Sequence, residues 1–295
     1  MISNLAANRL RNTLAISRVA ICFLVLLPAS ECLCQSANTP AQESTLVTRA
    51  LAAELKAAQD SGHPMRYKLR KSTSRLTSTK QIVETRDGAV ARLVSISDDT
   101  PSPADRQKDE ARLDALLADP SRQRKRKQNE QDDTGRALKV LHALPKAFLY
   151  QDAGPVAGTP TIERYTFTPN SKFNPADLEL LVLTALTGEL WIDSSHERVV
   201  RLDGRLRQDV DFGWGILGRL NKGGSILIEQ ANVGWDQWRI VRFKMVMSGR
   251  VFIKTRTFDT TEEQTQFSPV PVGMTYQQAI QLLRSDEGTN GARGR

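Results

Sequence analysis

The chain has 295 residues and a formal net charge of +8, with 40% hydrophobic and 25% charged residues. That composition is neither that of a disordered chain nor that of a protein crossing the membrane many times. Three histidines and three cysteines weigh against a His- or Cys-rich metal protein and against a disulfide scaffold.

The N-terminus reads as an export signal. Arg9, Arg11 and Arg18 precede an apolar run, Val19–Leu27, which Pro28 ends, and small and polar residues follow. The run is shorter than the ~20 residues a membrane-spanning helix needs. Cleavage before Gln35 places Cys32 and Cys34 at the −3 and −1 positions; cleavage after Ala37 is the nearby alternative. Acylation of Cys32 or Cys34, giving an envelope lipid anchor, ranks second. Glu31 and Leu33 are bulky where a lipoprotein signal needs a small residue. All three cysteines, Cys22, Cys32 and Cys34, fall within residues 1–34. The expected mature protein therefore has no thiol chemistry. It keeps a net charge of +6, since three Arg and one Glu leave with the signal.

Beyond a polar leader, residues 44–59 predict an amphipathic helix, with Leu46, Ala50, Leu51, Leu55 and Ala58 at helical spacing. Three strands follow, around Tyr67 and Leu69, at Thr77–Thr85 and from Val90 to Ile96, with a hairpin turn at Arg86-Asp87-Gly88. Thr100-Pro-Ser-Pro103 breaks the pattern. Residues 104–118 predict a helix with Leu113, Leu116 and Leu117 on its apolar side. A polar stretch over 119–134 and a short apolar helix near 135–144, ended by Pro145, complete a basic helical insertion at about 104–145.

From Ala147 onward the composition shifts. Fifteen of the sixteen aromatic residues beyond residue 34 lie after residue 146, which places most of the core there. Alternating strands are expected at Phe148–Gln151, Ile162–Thr168, Thr187–Asp193, Arg198–Leu202, Val210–Ile216, Ser225–Val233, Trp238–Met247 and Val251–Phe258. Turns are expected at Asn221–Gly224 and Ser248-Gly249. A last helix, Tyr276–Arg284, precedes a polar tail, 285–295, expected to be disordered. The fold class is mainly antiparallel β with added helices, in one domain over 35–284.

Gly188-Glu-Leu-Trp-Ile-Asp193, then Ser-Ser-His-Glu, then Arg198-Val-Val-Arg-Leu202 resembles the LolA/LolB/LppX-like superfamily, which includes outer-membrane lipoprotein-sorting proteins. The resemblance implies a curved, unclosed β-barrel with helices on its concave side, carrying a lipid, a lipoprotein or another apolar ligand. Relatives in that superfamily bind envelope lipids or proteins to transmit stress signals. The large basic insertion departs from the pattern.

No motif for catalysis, a cofactor or a metal is found. The chain lacks a Gly-x-Ser-x-Gly elbow and a phosphate loop, and His196-Glu197 lacks the second histidine of a metalloprotease helix. Asp209 and Asp211 share a strand face, where Arg205, Arg207 or Arg219 can pair with them. Trp191, Phe212, Trp214, Ile216, Ile226 and Ile228 are the candidate lining of an apolar groove. A sixteen-carbon chain needs roughly 10 kcal/mol of shielding to cross water, so a lipid carrier requires such a groove. Arg122, Arg124, Lys125, Arg126 and Lys127 are the candidate contacts to an anionic membrane surface, and export argues against nucleic acid as their partner. The expectation is a periplasmic or secreted, non-enzymatic protein that binds a lipid or lipoprotein, with an envelope interaction or stress-sensor module as the alternative.

Overall fold

The computed structural model describes residues 45–175, 177–212, 218–251 and 254–292. The expected export signal, Trp214 and Ile216 lie outside the described residues. The described chain forms two compact units. Of the described residues, one gathers Asp60–Arg136 and those from Glu262 onward; the other gathers 45–59 and Ala137–Thr261.

In the first unit, β1 (Met65–Thr73), β2 (Thr77–Val83) and β3 (Val90–Ile96) pair as successive antiparallel hairpins, and the last part of β12 (Lys254–Pro269) neighbours β1. Helix α2 (Pro103–Ala118) starts where the sequence places a breaker. Ser102 caps it by accepting the Asp105 N–H, and Pro103 occupies the first turn, where its missing N–H costs nothing. Leu113 and Leu116 of α2 meet Val83, Val90 and Val270. Tyr276, Ala279, Ile280 and Leu283 of α4 (Tyr276–Ala292) close this core. The last helix thus continues beyond Arg284, where its apolar pattern stops.

In the second unit the strand order is β12–β11–β10–β7–β6–β5–β4. The strands are β4 (Phe148–Val156), β5 (Thr159–Pro169), β6 (Leu186–Asp193), β7 (Arg198–Leu206), β10 (Ser225–Asn232) and β11 (Trp238–Val251). The pairs β4–β5, β5–β6, β6–β7, β7–β10 and β10–β11 are antiparallel. Helix α1 (Thr45–Gln59) packs on β7, and a 3-10 helix, Leu178–Thr184, packs on β8 (Val210–Phe212). The strand order is open, with β3 and β4 as its terminal members. This is the mainly antiparallel, unclosed β architecture with helices that the sequence predicts.

Two local expectations are corrected, and a third is met only in part. The polar stretch 119–134 and the short helix after it are one helix, α3 (Pro120–Ala147), which runs through Pro145. Of the strand expected over 210–216, the described part is β8, which pairs with β9 (Gly218–Leu220) in the register Val210↔Leu220, Phe212↔Gly218, and 213–216 lies outside the described residues. Ser248-Gly249 is no turn, because β11 continues through it. Gly249 lies opposite Leu220, where a Cβ would come within 2.5 Å of the Arg219 carbonyl oxygen. Gly249 is there for close backbone approach.

Candidate functional site

The β6–β7 hairpin, which carries the family resemblance, is the point where α1 docks. Glu54 of α1 is only 7% exposed. It accepts hydrogen bonds from Arg198 Nε at 2.8 Å, Arg198 Nη2 at 3.0 Å and the Val199 N–H at 3.0 Å. The Val199 N–H lies beside a register shift between Trp191 and Ile192, which explains why a side chain serves it. The Arg198 guanidinium also lies over the Trp238 ring, 5.5 Å from its centroid. Arg49 meets Glu197 in the turn at 2.6 Å.

The sheet of the second unit has two chemically opposite faces. On one, cross-strand registers align Tyr165, Leu190, Leu202, Ile228 and Phe243, with Phe167, Gly188, Gly204, Ile226 and Met245 in the next row. Buried residues of α1 (Val47, Ala50, Leu51), the 3-10 helix (Leu180, Val182, Leu183) and the end of α3 (Val140, Ala143, Leu144) complete the core of this unit. On the other face the row is Arg164, Trp191, Arg201, Glu229 and Arg242. There Arg201 lies 5.0 Å from the centroid of Trp191, bonds Glu229 at 2.8 Å and Asp203 at 2.9 Å, and Trp191 Nε1 donates to Glu189 at 2.9 Å.

The expected lining residues therefore do not share one surface. Ile226 (2% exposed) and Phe212 (5%) are packed core, and Ile228 is half-buried on the same sheet face as Ile226. Trp191 belongs to the opposite, charged face. A period-two pattern within each strand cannot give the register between strands, and register decides which residues meet.

One of the basic residues expected to meet a membrane, Arg126, has a structural task that the sequence hides. β3 is a terminal strand, so its outward backbone groups need partners. Helices α2 and α3 supply them with side chains. Arg126 Nη2 donates to the Ala89 carbonyl at 2.8 Å, and Glu130 accepts from the Ala89 N–H at 3.0 and 3.1 Å. Arg112 donates to the Ala91 carbonyl, and Asp109 accepts from the Leu93 N–H at 2.9 Å while pairing with Arg112 at 2.7 Å. Gln123, 1% exposed, donates to the carbonyls of Asp87 and Gly88. Gly88, at φ +95°, also sits where α3 comes closest, since a Cβ there would lie 3.2 Å from the Lys127 Cα. Arg122, Arg124 and Lys125 are exposed, and Arg122 pairs with Asp119. Lys127 is half-buried.

Lys80 on β2 adds to this cationic cluster. Burial, then the charges of Arg112, Arg126 and Lys71, push its ammonium down to about 8 against the pull of Asp109. Burial and Arg112 likewise lower Arg126 to about 10, with Glu130 opposing.

The groups with the types needed for catalysis are accounted for by local structure. Asp193, Ser195 and His196 cluster in the β6–β7 turn, but both Ser195 Oγ (2.9 Å) and Asp193 (3.1 Å) approach the same ring atom, His196 Nδ1. A nucleophile–base–acid relay needs them on opposite ring nitrogens. His63 bonds Asp60 at 2.9 Å, and His142 is exposed. Asp211 takes a bidentate pair from Arg219 at 2.6 and 2.8 Å, and Asp209 lies 3.5 Å from Arg219 Nη1. Among the described residues no group of three or more His, Cys, Asp or Glu side chains is placed to hold a metal ion.

One residue escaped the sequence reading. Trp235 is 62% exposed in the β10–β11 turn and has φ +55°, followed by Asp236 at +54°. A left-handed backbone costs a non-glycine residue roughly 1–2 kcal/mol. The available signal was a large aromatic residue inside a turn, next to Gly234.

No family model and no curated protein matches the chain. Among solved structures it is similar to an outer membrane lipoprotein-sorting protein domain from Vibrio parahaemolyticus, with a TM-score of 0.30 and 11% identity over 77% of this chain and 93% of that one. It is also similar to MucB, solved in complex with MucA(peri), with a TM-score of 0.21 and 13% identity over 78% of this chain and 100% of that one.

Proposed function

We propose that this is an exported, non-enzymatic envelope protein that works as an interaction module, engaging a partner protein of the envelope. The observation that supports it is the filled apolar face of the second unit. Ile226 and Phe212 are buried by the chain itself, while the opposite face presents Arg164, Trp191, Arg201, Glu229 and Arg242. Such a surface, an aromatic set among charges, suits a protein contact. The second reading, a lipid or lipoprotein ligand, is favoured by Ile228 and Met245. They are only half-buried on a face whose other members are packed core.

Native mass spectrometry of residues 35–295, purified from a periplasm without detergent and followed by organic extraction, separates the two. The interaction module shows the mass of the bare chain and no stoichiometric lipid. A reproducible lipid adduct overturns that reading in favour of the second.

A further inference from the structure

We propose that Trp235 is a membrane-contact residue, which seats its indole in the interfacial zone of a lipid bilayer. This goes beyond the interaction reading and shares with it only the envelope location. The Gln237 N–H closes the turn onto the Gly234 carbonyl at 3.0 Å, and both central residues, Trp235 and Asp236, are left-handed. Asn and Gly take that geometry without strain. A tryptophan here strains the backbone and leaves most of its surface in water. It contributes little to the fold, and its exposed indole is open to contact from outside the chain.

The surroundings indicate what it meets. The pairings Val156↔Thr159, Asp193↔Arg198 and Asn232↔Trp238 bring three hairpin turns to the same end of this unit. Ala157, Gly158, Ser194, Ser195, His196 and the carboxylate of Asp236 are exposed there. These are small or polar groups that suit the headgroup layer. Arg49, in the first half of α1, reaches Glu197 in one of these turns. The chain therefore enters α1 beside this end. A lone indole on a hairpin tip offers far less than the ~800 Å² per partner of a specific protein interface. Tryptophan at the membrane–water boundary needs no such area.

The test uses residues 35–295 with vesicles of phosphatidylcholine alone and with added phosphatidylglycerol, read by co-sedimentation and by the tryptophan emission maximum. The wild type binds both kinds of vesicle and its emission shifts to the blue. Trp235→Gly, which relaxes the left-handed turn, keeps or raises the thermal midpoint and loses roughly tenfold or more in vesicle partitioning. Trp235→Phe retains most of the binding. The proposal is overturned if the wild type binds no vesicles, if it binds only the anionic ones, or if Trp235→Gly binds as well as the wild type. None of these outcomes bears on the lipid-adduct measurement above.

Discussion

Glu54 and Arg198 form a two-pronged ion pair across 144 residues of sequence, and the same carboxylate caps the Val199 N–H. One side chain thus fixes α1 to the hairpin and satisfies a backbone group that the irregular β6–β7 pairing leaves over. Removing one partner of a buried pair strands the other, which costs about 3–5 kcal/mol. Glu54→Ala is expected to lose about that much in urea unfolding. Glu54→Ala combined with Arg198→Met is expected to recover part of it. Equal losses in the single and double variants would deny the coupling.

The side chains covering β3 make a separate prediction. Residues 120–136 of α3 contain no large apolar side chain, so polar contacts hold this half of the helix against the strand. Hydrogen bonds to charged groups contribute about 1.5–3 kcal/mol each. The triple variant Gln123→Ala, Arg126→Ala, Glu130→Ala is expected to exchange its Ala89 amide hydrogen at least tenfold faster. It should also self-associate in sedimentation velocity, because an uncovered edge strand invites another. A monomer with unchanged Ala89 protection would refute the role.

Lys80 sets a pH dependence. Its folded value, about 8, lies below the ordinary 10.5. Between those values the unfolded chain holds a proton that the folded chain has lost, so stability rises with pH. Urea midpoints should therefore climb from pH 7 to pH 9, by an amount of order 1 kcal/mol. Lys80→Met is expected to flatten that rise and to stabilise the protein at pH 7. A variant as pH-sensitive as the wild type would place the titration elsewhere.

The two sheet faces separate Ile226 from Trp191. Ile226→Ala opens a cavity in packed core and is expected to cost about 2–5 kcal/mol. Trp191→Ala removes a cation–π contact with Arg201 and a hydrogen bond to Glu189 on a half-exposed face and is expected to cost nearer 1 kcal/mol. Comparable thermal denaturation losses for the two would contradict the register.

Gly188 admits no side chain. A Cβ there would lie 1.8 Å from the Asp203 carbonyl oxygen, which is backbone and cannot turn aside. Gly188→Ala is expected to disrupt the β6–β7 pairing, seen as lost amide protection at Leu190 and Leu202. Wild-type protection in that variant would show the approach to be looser.

Alternation and turn chemistry made α1 and the hairpins legible, since Leu51 or Leu202 is placed by burial alone. Helix α3 was hidden for the opposite reason. Its first half buries Gln123 against carbonyl groups and carries no apolar stripe, so periodicity has nothing to register. Arg126 reads as a free surface charge until the edge of β3 is known to be beside it. The division between Trp191 and Ile226 needed strand register, which no single strand contains. Trp235 needed a backbone angle.

The contacts that seal β3 also bear on the order of events during synthesis. They close sequence separations of 16 residues, from Leu93 to Asp109, and 41, from Ala89 to Glu130. The ion pair of Lys71 with Glu262, which joins β1 to β12, spans 191. Short loops close first, and the cover of β3 is made before the chain reaches β12. While the protein emerges, the bare edge that a chaperone would have to guard is therefore that of β1.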